Sequence, residues 1–325
     1  MTANSDNNAN LGILFLVGGV FAISINDMLI KELSGAYPLH ELIFLRSAIG
    51  LMFSVFLVRM EGGWRILKTR RPFLHALRGL LIVIANMSYF VALAAIPLAD
   101  ATALFFAAPL FITLLSIPIL GEKVGIMRMT AVVVGFVGVI IMQRPWASAE
   151  ELQASRIILL LPVLAALTYA LTQLMTRKLG VESKASALAV YIQSAFLIVS
   201  MVFFFVAGDG RYAEGVENPS IEFLLRAWVW PENGDWWVLI GMGANAAIIG
   251  YCLSQAYRLA DAATVAPFEY LGLPLAVFWG WLVFMEIPVW EVWAGIALII
   301  GSGLFVFLRE RQKSLSIARG PVKRR

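Results

Sequence analysis

The chain is short of charge. Only 14% of its 325 residues are Asp, Glu, Lys or Arg, against about 25% in an ordinary soluble domain. So few charged side chains cannot keep a globular surface hydrated, which excludes a cytosolic enzyme, a secreted domain and a disordered chain. Cysteine is almost missing: Cys252 stands alone, so neither an intramolecular disulfide nor a thiolate-rich metal site can form. His40 and His75 are the only histidines, which argues against zinc and haem, and no cofactor is expected. No GxxxxGK[ST] stretch occurs, so there is no P-loop to drive work with a nucleotide. Gly241 to Ala246 match GxGxxA, but a dinucleotide fingerprint needs a preceding strand. Inside an apolar run, those small residues serve helix packing instead. The net charge of +4 reads as membrane topology and not as a nucleic-acid surface.

What the chain has in quantity is apolar surface: 60% of its residues are hydrophobic. A membrane-spanning helix uses about 20 such residues, and runs bounded by charge or proline supply ten of them. They cover 11–31, 39–60, 73–95, 99–119, 124–143, 157–177, 185–207, 236–258, 263–285 and 289–308. Stretches such as AVVVGFVGVIIM (131–142) and IALIIGSGLFVFL (296–308) do not alternate as barrel strands do. The expected fold is therefore an all-α membrane protein of ten transmembrane helices. The N-terminal MTANSDNNAN has no Lys or Arg, so it lacks the basic region of a signal peptide. The first span is expected to stay attached.

Most of the 25 basic residues fall in alternate connections and in the tail 309–325, among them Arg65, Lys68, Arg70, Arg71, Lys123, Lys184 and Arg311. Basic loops stay in the cytoplasm, so both termini are expected inside. The longest connection, 208–235, is rich in acids and then lies outside. Within it, IEFLLRAWVW (221–230) is too short to span. With Trp228, Trp230, Trp236 and Trp237 around it, this segment reads either as a helix in the headgroup layer or as a partly ordered loop with tryptophan anchors. The tail beyond 308 reads as a solvated topology anchor.

The chain also resembles itself across its midpoint. NDMLIKEL (26–33) parallels TQLMTRKL (172–179), LADAT (98–102) parallels LADAAT (259–264), and LLSIPILGE (114–122) parallels VFWGWLVFME (277–286) in hydropathy and terminal glutamate. Five spans is an odd number, so the second copy, 146–308, enters the membrane from the opposite side to the first, 11–145. Inverted repeats of this kind build secondary transporters, with the substrate between the halves.

The segment 86–145 is similar to the EamA-type half of the drug/metabolite transporter superfamily. It resembles that family in its kinking proline Pro109, in Gly121-Glu122 before the next helix and in the GFxGV-like stretch Gly135–Val139. Arg46 matches a frequent arginine of the family, and the likeness runs over 11–308. Met285 departs from it where the second half would carry glycine. The resemblance implies a ten-helix carrier of a small metabolite or amphipathic compound in the inner membrane, and leaves the substrate open.

An ionisable group inside a span costs about 2.5–3.5 kcal/mol on insertion scales, and by default marks function. Glu269 lies between Pro267 and Pro274 in the ninth span, where missing backbone donors break the helix. Its carboxylate suits proton coupling or a cationic substrate, or else a structural pair with Arg258. Asp27, Glu41 and Arg46 read as an outer gating or coupling network, or as a static pair that lets Arg46 sit in the bundle. Asn86 and Asn245 lie mid-span and bond either substrate or a neighbouring helix. Tyr89, Tyr251 and Tyr270 are the aromatic candidates for the substrate site, since a buried phenol needs a partner. The expected partners are a small cationic or zwitterionic molecule and lipid, with protons as one candidate coupling ion. A channel and a non-transport scaffold are the competing readings.

Overall fold

Proline and glycine divide the apolar runs into helices near the expected boundaries, except that the first helix starts at Thr2 and the last continues to Ala318, into the segments expected to be tails. The computed structural model describes residues 2–69, 71–121, 124–148, 154–179, 185–259 and 266–318, and the described residues are helical with no strands. The helices are α1 (Thr2–Leu33), α2 (Leu39–Glu61), α3 (Pro72–Leu93), α4 (Leu98–Phe105), α5 (Ala108–Leu120) and α6 (Ile126–Met142). Then come α7 (Arg156–Leu179), α8 (Ala185–Ala207), α9 (Pro219–Leu225), α10 (Asp235–Leu259), α11 (Gly272–Phe284) and α12 (Trp290–Ala318). Among the described residues, seven helical stretches are long and apolar enough to cross a membrane, and Ile126–Met142, Phe268–Phe284 and Trp290–Val306 are shorter apolar helices. Glu122, Lys123, most of LADAAT (259–264) and the end of the basic tail lie outside the described residues.

Two of the expected spans are broken. The run 99–119 is two helices, α4 and α5, with Phe106 and Ala107 between them. Pro109 sits in the first turn of α5 and has no N–H for the carbonyl four residues back, so the α4 ladder ends there. The run 263–285 begins as a 3₁₀ turn, Ala266–Leu271, before α11. Pro267 and Pro274 withhold donors on both sides of Glu269 in the same way.

Packing joins early helices to late ones. α1 lies on α10, α3 on α7, α2 on α8 and α6 on α12, while α4 meets both α7 and α11. One buried cluster (Leu42, Phe90, Leu93, Phe196, Phe223) joins α2, α3, α8 and α9. A second (Leu104, Ala107, Leu110, Val139, Ile299) joins α4, α5, α6 and α12. Side chains such as Leu14, Phe56, Val137, Phe205 and Ile248 are exposed on the outside of the bundle, where lipid would lie.

Glycine sets two of these crossings. A Cβ on Gly243 would lie 2.6 Å from Ile49 of α2, so the GxGxxA stretch is a helix-packing surface. A Cβ on Gly295 would lie 2.2 Å from Met142 Cγ and 3.0 Å from the Gly138 carbonyl. Gly295→Ala is therefore expected to cost about 1–3 kcal/mol as an overpacked core does, seen as a lower thermal midpoint in detergent.

The connection 208–235 carries a helix that is shorter than the segment 221–230 and begins before it. Its helix is only Pro219–Leu225, capped by the Asn218 side chain on Ser220 N and Ile221 N, and it docks on α2 and α3. Phe223 is fully buried, and Ser220 Oγ donates to the Val91 carbonyl at 2.7 Å. Trp228 turns inward, with ring centroids 5.3 Å from Phe44, 4.7 Å from Phe204 and 6.0 Å from His40. Trp230 and Trp237 stay exposed. The Tyr37 phenol donates to Asp235; burial first, and then that carboxylate, hold it above its ordinary pKa.

Candidate functional site

A cation and a carboxylate are bridged by Asn26 in the bundle where α1, α2 and α3 converge. Asp27 on α1 accepts from its neighbour Asn26 at 3.1 Å. Arg46 on α2, 8% exposed, donates to Asn26 Oδ1 at 3.4 Å. Its guanidinium lies over Phe90 and Phe196, 5.6 and 5.4 Å from the ring centroids. Cation–π contact in a desolvated setting contributes about 2 kcal/mol, and offsets part of the cost of holding the charge there.

Tyr89 carries this group onward to α4. Its hydroxyl is 3.1 Å from Asp27 Oδ2 and 2.9 Å from Thr102 Oγ1, and Thr102 Oγ1 reaches the Leu98 carbonyl at 2.8 Å. Each hydroxyl has one proton to give. With Asp27 ionised, donation runs Thr102 to Tyr89 to Asp27. With Asp27 protonated it runs the other way and ends on the Leu98 carbonyl. The row can hold a proton in either sense without leaving a buried group unbonded.

Aromatic rings extend from the same tyrosine. Tyr89 is 5.5 Å from Phe90 and 5.4 Å from Phe105, and Phe105 is 5.4 Å from Tyr169 of α7. Across the break in α4, Phe106 stacks on Tyr270 at 5.4 Å. Glu269 is half-buried and acts electrostatically on both Tyr169 and Tyr270. Trp279 Nε1 donates to Ser24 Oγ at 3.1 Å, fastening α11 to α1. The two broken stretches thus meet ring to ring, with an Asp–Arg pole at one end of the aromatic row and Glu269 at the other. Such a row can stack a planar guest and meet a charge at either end.

The remaining candidates lie elsewhere. Glu41 is buried but apart from Asp27 and Arg46, since its Oε2 accepts from Val229 N of the outer connection at 3.1 Å. Asn86 donates to Ile82 O of its own helix, and Asn245 donates to Ala22 O of α1 at 2.7 Å, as a helix clamp would. Tyr251 is 47% exposed, edge-on to Phe15 at 6.0 Å. The Arg258 side chain lies outside the described residues. Sequence reasoning missed Asn26, Thr102, Tyr169 and Phe196, because a short polar or aromatic side chain in an apolar run reads as packing. For Thr102 a signal exists: it sits in LADAT, one of the repeated segments.

Comparison with known proteins bears on the family of the chain. Residues 10–144 match the EamA-like transporter family. The chain is 32% identical to the riboflavin transporter of Vibrio cholerae, over 93% of each chain. It is 29% identical to the S-adenosylmethionine uptake transporter of Rickettsia prowazekii, over 94% of this chain and 95% of that one. The pseudopaline exporter of Pseudomonas aeruginosa is 28% identical, over 89% of this chain and 93% of its own length. A solved crystal structure with 17% identity covers 91% of this chain at a TM-score of 0.59, which speaks for the fold alone. These relatives are transporters and not enzymes, and this multi-pass membrane protein belongs to the EamA-like transporter family.

Proposed function

We propose that the protein is a secondary transporter working by alternating access, with ten spanning helices in two inverted halves and both termini on the cytoplasmic side of the inner membrane. One observation carries the reading: the most extensive helix contacts map onto themselves when the first five spans are exchanged for the last five. Counting α4–α5 and the 3₁₀ turn with α11 as one span each, contact of span one with eight becomes contact of span six with three. Both contacts are present, as α1 on α10 and α7 on α3. Contacts two with seven, four with nine and five with ten map onto themselves, and all three occur. A carrier needs that symmetry to open alternately to either side.

The substrate we infer is a small metabolite with a planar ring and a cationic or zwitterionic group. The ring would stack along Tyr89, Phe105 and Tyr169, and the charges would meet Glu269 and the Asp27–Arg46 pole. The names of two relatives, an S-adenosylmethionine and a riboflavin transporter, support a ring-bearing solute. Proton coupling is supported by the reversible hydroxyl row at Asp27 and by the carboxylate of Glu269. The test is a thermal-shift panel on purified protein that includes S-adenosylmethionine, riboflavin, amino acids and quaternary amines, followed by proteoliposome uptake of each hit. A ligand at 100 times its Kd adds about 2.7 kcal/mol, and its uptake is expected to saturate. Hits confined to solutes without a ring overturn the substrate class. Flux that rises linearly with solute overturns the carrier in favour of a channel.

A further inference from the structure

A second group of charges, separate from the Asp27–Arg46 pole, closes one end of the bundle. Lys31, at the end of α1, pairs with Glu286 in the α11–α12 turn at 2.9 Å. The same ammonium donates to the Leu93 and Ile96 carbonyls at 3.2 and 2.6 Å and lies 5.2 Å from the Phe284 ring centroid. Glu286 Oε2 in turn accepts from Leu98 N, the first residue of α4, at 3.0 Å. Arg144, just past α6, pairs with Glu291 of α12 at 3.1 Å. Both pairs join a residue of the first half of the chain to a residue of the second.

Beside the first pair lies an open crevice of about 400 Å³, lined by Lys31, Ser34, Gly35, Pro97, Phe284 and Glu286. Both members of the pair form part of the crevice wall. We propose that Lys31–Glu286 is the outer latch of the transport path and that the crevice is its vestibule. The latch has a resting place for its cation when it opens: Asp100, in the first turn of α4, lies within electrostatic reach of Lys31, Glu286 and Arg144, and its Oδ1 is buried with no hydrogen-bond partner. Lys31 can pass from Glu286 to Asp100 without being stranded, which is what a two-state contact requires. Leu98 couples the latch to the centre. Its N–H holds Glu286, and its carbonyl holds Thr102, the partner of Tyr89. A substrate that displaces Tyr89 pulls on the turn that keeps Glu286 in place.

The inference rests on the proposed carrier and its orientation, so its test avoids substrate altogether. In a Cys252→Ser background, which removes the lone thiol, Thr102→Cys reports access one turn below the latch. Its modification by a membrane-impermeant thiol reagent is timed in intact cells and in inside-out vesicles. Adding Lys31→Met or Glu286→Gln is expected to speed labelling at least tenfold in cells, and the swap Lys31→Glu with Glu286→Lys to restore the slow rate. The swap also separates opening from misfolding, because a damaged bundle would not recover. Acceleration seen only in vesicles keeps the latch and reverses the orientation. Unchanged rates on both sides overturn the latch and leave the carrier reading standing, whereas faster labelling with no uptake of any panel member does the opposite.

Discussion

Arg46→Ala is expected to lower the initial rate of uptake about 100-fold, equivalent to about 2.7 kcal/mol, while shifting the thermal midpoint only slightly. The two effects separate because they have different origins. Interhelical polar contacts in membrane proteins contribute about 0.6 kcal/mol on average to stability. Once the guanidinium leaves Phe90, Phe196 and Asn26, Asp27 can take up a proton instead of remaining an unpaired buried charge. Uptake, in contrast, loses one pole of the proposed site. Asp27→Asn is expected to cause a loss of similar size, and the double variant to be no worse than either single one, as for residues that act as a unit. Rates in proteoliposomes, normalised to folded protein, provide the check. Parallel losses of rate and midpoint would show a static pair that serves only to seat Arg46.

The long apolar helices are legible in the sequence because a bilayer imposes both length and composition. α2, for example, begins at Leu39 as expected and ends within one residue of its expected boundary. The breaks are legible where proline causes them, at Pro109 and between Pro267 and Pro274. Facing is another matter. Hydropathy puts Tyr89 and Tyr251 in equivalent surroundings, yet one is buried against Asp27 and the other is exposed at the periphery. A helix that is apolar on all sides carries no periodic signal to tell its lipid face from its core face. Glu41 is misleading for a different reason. Its partner is a backbone amide 188 residues away, in a connection whose docking no local pattern announces. Lys31 and Glu286 are hidden because charges at span ends look like ordinary boundaries, and only the tertiary structure brings them to 2.9 Å.

Glu269→Gln tests the other end of the aromatic row. Glutamine keeps the shape and removes the charge, so a purely steric role leaves uptake intact. The expected result is at least a 30-fold loss of uptake for a cationic substrate, about 2 kcal/mol, together with loss of whatever pH dependence the parent shows. A neutral ring-bearing solute is expected to lose much less, because the stacking surface of Tyr89, Phe105 and Tyr169 is untouched. Gly303→Ala supplies the complementary case. A Cβ there would fall 1.7 Å from the Tyr270 hydroxyl, so the ring must leave its stack on Phe106 while the carboxylate stays. That variant is expected to raise KM for both kinds of solute alike, since it removes ring surface and no charge. Glu269→Gln discriminates between solutes by charge and Gly303→Ala does not, and a carrier that reads ring and charge separately must show both patterns. If Glu269→Gln leaves rate, selectivity and pH dependence unchanged, the carboxylate is a structural group, and recognition rests on the Asp27–Arg46 pole alone.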